Sequence, residues 1–247
     1  MEFITVLMSD DAITDVKINF YQRLLARDQD EAAQIVAEHL KNHRQEHLYD
    51  EVLVPALNHA KLERERGSLA EADEQFIFQA TREIVMKLGF EQQVPLDATD
   101  ERGSDNSSRL TKIKILGCPA KDEADELALL MFRQLLDPVF YEVEIVDEET
   151  LTSEVAALGA GKKTGLVCIG ALPPDGLAET RHLCKRLAGI SPKPKIVVGR
   201  WGSAENTDEI RNLLLVDGAQ QVAMSLLQAR DQITNLRGLV SGNISGQ

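Results

Sequence analysis

A bundle of amphipathic helices followed by an α/β domain with a five-stranded parallel sheet is the fold class this sequence predicts, and three observations predict it. Residues 10–90 place apolar side chains three and four apart, with short breaks and no strand-like alternation. Residues 91–110 lose periodicity and gather Asp, Ser, Asn, Pro and Gly, the composition of a linker. From residue 111 to 238, short β-branched runs alternate with helical stretches, the pattern of a parallel sheet covered on both faces. Residues 239–247 form a tail expected to be disordered.

In the first region, Ile13, Val16, Ile18, Phe20, Tyr21, Leu24 and Leu25 leave one apolar side on a first helix. Asp28 or Asp30 offers a cap for a second, over about residues 31–41, whose inward positions are Ala32, Ile35, Val36, His39 and Leu40. A third, over about 48–66, turns Leu48, Val52, Leu53, Ala56, Leu57 and Ala60 inward and Glu63 to Arg66 toward water. Pro55 predicts a bend in it, and Gly67 its end. A fourth, over about 71–88, is expected to stop at Gly89. Short connections make these four an antiparallel bundle. In the second region, strands are expected at 112–117, 141–146, 164–169, 195–198 and 220–223. Helices are expected at 122–136, 149–158, 176–187, 208–214 and 224–236.

The chain has 247 residues, 43% hydrophobic and 27% charged, as in a globular protein, and its 4% aromatic content favours aliphatic cores. No apolar run approaches the ~20 residues that cross a bilayer, and no signal peptide opens the sequence, so a cytoplasmic location is expected. A net charge of −13 with no basic patch excludes nucleic acid as an expected partner. Cys118, Cys168 and Cys184 have neither disulfide nor zinc spacing and read as reduced thiols. Cys118, close to a helix start, is the one whose pKa could be depressed.

Chemistry is expected in the stretch KIKILGCPAKDEADELALL, residues 112–130, which reads as strand, loop and helix. Ligands of doubly wound sheets bind beyond the carboxyl ends of the strands, so residues 117–126 should line any site. Lys121, Asp122, Glu123, Asp125 and Glu126 crowd that loop with charge. Acidic residues there favour the positive end of the helix dipole, the simplest account of them, although they have the chemistry to hold a hard cation. Gly159 to Lys162 precedes a strand and reads as a loop, not a phosphate cradle. His39, His43 and His47 are spaced by four, but a helix break near 42–45 makes surface histidines the expectation, and no metal site is predicted.

The order of bundle, linker and five-stranded domain resembles the cobalamin-binding module of methionine synthase and of corrinoid and light-sensing regulators. The resemblance implies a four-helix bundle packed on a flavodoxin-like (Rossmann-like) domain, with cofactor in the cleft between them. The segment YDEVLVPALNHAKLERERGSLAEADEQF, residues 49–76, is similar to the family's helix pair. With Gly67 aligned, Arg64 stands where the family has Trp, Glu74 keeps the family Glu, and Gln75 replaces its His. The family's DxHxxG loop becomes Lys121, Glu123 and Glu126, with Glu123 in place of the cobalt-ligating His. Its SxL becomes Gly170-Ala171-Leu172, and its GG becomes Gly199-Arg200, whose long side chain is expected to obstruct the nucleotide slot. MEFITVLMSDDA and YQRLLARDQDEA are similar to the segment after the last span of autoinducer-2 exporter family permeases.

These resemblances imply a non-enzymatic regulatory or sensory domain with no cofactor expected, no catalytic residue, and tethering to a membrane in a full-length permease. Its expected partners are a permease membrane domain or another protein, an unknown small ligand, or a second copy. The alternative is a corrinoid carrier or sensor that binds cobalamin without a histidine ligand. A third reading holds a cation or organic base against Glu74, Asp122, Glu123 and Asp125. The cleft residues are expected to be Arg64, Glu74, Gln75, Cys118, Lys121, Asp122, Glu123, Gly170, Leu172, Gly199 and Arg200.

Overall fold

The computed structural model describes residues 16–93, 112–147, 165–203 and 207–241. The permease-like opening residues, the linker from 94, the helix expected at 149–158, the loop at 159–162 and the tail from 242 lie outside them. Helix α1 covers 16–25 and α2 covers Gln29–Asn42. The Asp28 carboxylate accepts from the Glu31 amide and caps α2, as an Asp before an apolar-periodic run should. Helix α3 runs as one rod through Gln45–Leu48, a π-helical turn at Tyr49–Leu53, and Val54–Glu65. The π turn has a visible cause. Pro55 has no amide proton for the carbonyl four residues earlier, and Val54 bonds back to Tyr49, so the helix widens instead of breaking. Gly67, at φ +73°, closes α3, with its amide on the Arg64 carbonyl.

Helix α4, Glu71–Gln93, does not stop at Gly89. A Cβ there would sit 2.4 Å from the Gln134 amide nitrogen, so this glycine serves a close helix–helix approach and not a helix end. His39 is buried, as its inward place on α2 implies and against the reading of all three histidines as surface residues, and it stacks on His43 at 4.2 Å.

The second region alternates β1 (Ile113–Pro119), α5 (Glu123–Leu135), β2 (Tyr141–Ile145), β3 (Leu166–Gly170), α6 (Leu177–Ala188), β4 (Lys195–Gly199), α7 (Thr207–Val216), β5 (Gln221–Ala223) and α8 (Leu226–Ser241). All pairings are parallel and the order is β2-β1-β3-β4-β5. The chain leaves β1 toward β2 on one side and returns to β3 on the other. The crevice beyond the ends of β1 and β3 is therefore the topological switch point.

One apolar core joins α1 to α4, α5, α8 and a sheet face. The opposite face packs separately on α6 and α7. Helices α4 and α5 lie parallel: Arg82 meets Glu123 and Glu126, and Val85 further along meets Gln134. Both amino termini thus point at the switch point, where the dipoles favour the carboxylates found there. The bundle is also tied to the far edge of the sheet. Asp50, on the π turn of α3, accepts from the Leu226 and Leu227 amides at 2.7 and 3.0 Å and caps α8 from 176 residues away in sequence.

That remote cap yields the first prediction. Asp50→Ala should cost about 1–2 kcal/mol of unfolding free energy, with Asp50→Asn losing less, in urea titrations followed by circular dichroism. A loss no larger than that of a surface Asp→Ala control would show that the cap contributes nothing.

Candidate functional site

Lys61 lies on α3 one turn after Leu57, on the stripe that faces the sheet, and its side chain is 3% exposed. An ammonium cannot be buried there without counter-charge. The two loops at the switch point supply it. The Lys61 Nζ lies 2.8 Å from Asp122 Oδ2, 3.4 Å from Asp125 Oδ1 and 3.0 Å from Asp175 Oδ1, and it donates to the Leu172 carbonyl at 3.1 Å. Asp122 ends the β1–α5 turn and Asp125 lies in the first turn of α5, while Leu172 and Asp175 belong to the β3–α6 loop. One side chain from the bundle thus joins both loops.

Asp125 is itself fully buried and uses both oxygens. It accepts from the Leu172 amide at 2.6 Å and from the Lys121 amide at 3.0 Å. Asp122 caps α5 by accepting from the Asp125 amide. Lys121 pairs with Asp175, and buried Arg200 donates to the carbonyls of Pro174 and Asp175 at 3.1 and 2.5 Å. Lys61, Lys121 and Arg200 therefore face Asp122, Asp125 and Asp175, three cations to three anions.

The proton affinities follow from this packing. Burial pushes Asp125 up to about 6, and neighbouring Asp122 adds to the rise, against the pull of Lys61 and the two amides. For Lys61, burial acts downward but Asp125, Asp122 and Asp175 outweigh it, and the ammonium is held above its ordinary value. Burial would raise Asp175, yet Lys121 and Lys61 keep it below the ordinary range. Glu74 is raised by burial, with Asp122 and Asp175 adding to that.

Six of the expected cleft residues meet: Arg64, Glu74, Gln75, Lys121, Asp122 and Glu123, with Glu71 and Phe78, line one shallow groove of about 450 Å³. The acids there are held in pairs, two to one arginine. Glu123 and Glu126 take Arg82 at 3.1 and 2.9 Å, and Glu74 and Glu71 take Arg64 at 3.4 and 3.2 Å. Leu172 contributes through its backbone. Gly170 lies under Leu129, 2.8 Å from where a Cβ would stand. Gly199 lies under the Trp201 ring, whose nearest atom would be 2.1 Å from a Cβ. Trp201 is fully buried between β4 and the bundle: its ring stacks on Phe132 at 5.8 Å, and its carbonyl accepts from Asn58 of α3 at 3.2 Å.

Cys118 does not belong to the groove. It is fully buried in the core on the α6 and α7 side of the sheet, and burial, with Cys168 beside it, pushes its thiol up and not down. Lys61, Arg82, Asp175 and Trp201 are the residues that sequence reasoning passed over. Lys61 carried the clearest signal, a lysine one turn beyond Leu57 on an apolar stripe.

The fold is similar to that of the monomethylamine corrinoid protein of Methanosarcina barkeri, with a TM-score of 0.62 and 12% identity over 90% of this chain and 99% of that one. A cobalamin-binding protein from Desulfitobacterium hafniense DCB-2 aligns over 88% of this chain and 96% of its own at a TM-score of 0.42 and 11% identity. At 12% identity the first of these establishes a common fold and nothing finer. No family model matches the sequence, and no curated protein matches it.

Asp125 gives a pH prediction with a definite sign. Its pKa is higher folded than unfolded, so its contribution to stability is fully present below the unfolded value and is lost as pH rises through about 6. Wild type should therefore gain on Asp125→Asn by on the order of 2 kcal/mol between pH 7 and pH 4. Asp175, shifted the other way, acts below that window. Parallel urea titrations of the two proteins measure the difference; a constant difference across the window would refute the assignment.

Proposed function

We propose that this chain is a non-enzymatic regulatory domain, built on the fold of corrinoid proteins, whose interdomain cleft holds the chain's own side chains in place of a cofactor. The observation that carries this reading is Lys61, buried between the two loops of the switch point with Asp122, Asp125 and Asp175 around its ammonium. The residues present do not fit a corrinoid. Glu123, in the register of the cobalt-ligating His, is engaged by Arg82 of the bundle. Leu129 and Trp201 fill the space above the two glycines that a nucleotide tail would need, and Arg200 is drawn onto the carbonyls of the β3–α6 loop. The acids of the cleft are drawn into shared ion pairs with Arg64, Arg82 and Lys61, which supports a role without catalysis.

The similarity of residues 1–12 and 21–32 to the segment after the last span of autoinducer-2 exporter permeases supports attachment to a membrane domain of that type. Among the described residues no helix is long and apolar enough to cross a membrane, which accords with a domain beside the bilayer. The rival reading, a corrinoid carrier or sensor without a histidine ligand, draws on the likeness to the Methanosarcina barkeri protein. It requires the Lys61 cluster to open.

Titration with hydroxocobalamin, followed by visible absorbance, separates the two. At micromolar protein the proposed domain should leave the cobalamin spectrum unchanged. A stoichiometric spectral shift would establish the carrier reading instead.

A further inference from the structure

Helices α4 and α5 enclose a second cavity at their carboxyl-terminal halves, at the other end of the helix pair from the ionic cleft. It measures about 460 Å³ and is bounded by the edge strand β2. That size lies within the range of small-molecule sites, roughly 300–1,000 Å³. Its lining is chiefly apolar, with Met86 and Phe90 from α4, Leu136 after α5 and Val143 from β2.

Two features set it apart from an ordinary surface depression. Phe90 is 71% exposed and Met86 54%, so large apolar side chains on one wall stand open to water. Arg133 is the one charged residue of the lining, and its side chain makes no ion pair or hydrogen bond among the described residues. In the last turn of α5 it offsets the helix dipole, but that is a partial charge and leaves most of the guanidinium's donors uncommitted. The lining thus carries one formal charge, a cation, on a chain of net charge −13.

We propose that this cavity binds a small apolar carboxylate. The hydrocarbon part packs against Met86, Phe90, Leu136 and Val143, and the carboxylate is recognised by Arg133. The inference is independent of whether the ionic cleft admits a corrinoid, because the two sites share no lining residue.

Isothermal titration of the full chain with decanoate, decanol and decylamine tests it, each kept below the concentration at which it forms micelles. Decanoate should bind at one site, decanol more weakly, and decylamine not at all. Arg133→Gln should weaken decanoate by about tenfold or more, as loss of a charged hydrogen bond does, while leaving decanol unchanged. Phe90→Asp, a change at an exposed position, should abolish binding with an unaltered circular dichroism spectrum. Absence of saturable decanoate binding, equal affinity in Arg133→Gln or Phe90→Asp, or decylamine binding as tightly as decanoate would overturn the proposal.

Discussion

The ammonium of Lys61, enclosed by Asp122, Asp125 and Asp175, is the constraint on which the arrangement of the two halves depends. Taking such a charge out of water is costly, and the attraction of its partners largely returns that cost without adding much net stability. Breaking the cluster is another matter. Deleting Lys61 alone would leave Asp125 buried without its counter-ion, a loss of about 3–5 kcal/mol for a buried pair deprived of one member. The cluster therefore acts through geometry: it permits one docking of α3 on the β1–α5 and β3–α6 loops and penalises others.

The surrounding contacts agree with that docking. Arg82 holds α4 to α5 through Glu123 and Glu126, Asp50 caps α8, and Asn58 meets the Trp201 carbonyl. Gly199, in the register of the first glycine of the family's GG, lies under the chain's own Trp201, and Gly170, in the register of the family's Ser, lies under Leu129. The space over Gly199 is filled by the residue two positions on. The acids at the helix amino termini, which as a sequence suggest a cation site, surround a cation that the bundle itself carries.

Much of the fold was legible in the sequence because it rests on periodicity. The strands and helices of the second region fall close to where β-branched runs and apolar stripes put them, and Asp28 and Gly67 act as cap and terminator as their chemistry requires. Gly89 was misread because a glycine in a helix signals an end or a close approach equally well, and only its proximity to Gln134 decides. The groove was legible in part: fold position brought Arg64, Glu74, Gln75, Lys121, Asp122 and Glu123 together. Cys118 was placed wrongly because alternation along β1 turns it to the opposite face. Asp175 and Trp201 lie in loops, where no period reports which way a side chain points. Lys61 could have been found, since a charge on an apolar stripe demands a partner.

Amide hydrogen exchange at Leu172 and Lys121 tests the closed cleft most directly, because both amides donate to the buried Asp125 carboxylate. Both lie in loops that would exchange quickly if the bundle swung away from the sheet. Protection at these two positions is expected to be comparable with that of the β1 amides and unchanged by added hydroxocobalamin. Exchange at the rate of an open loop, or protection that appears only when hydroxocobalamin is present, would contradict a closed cleft.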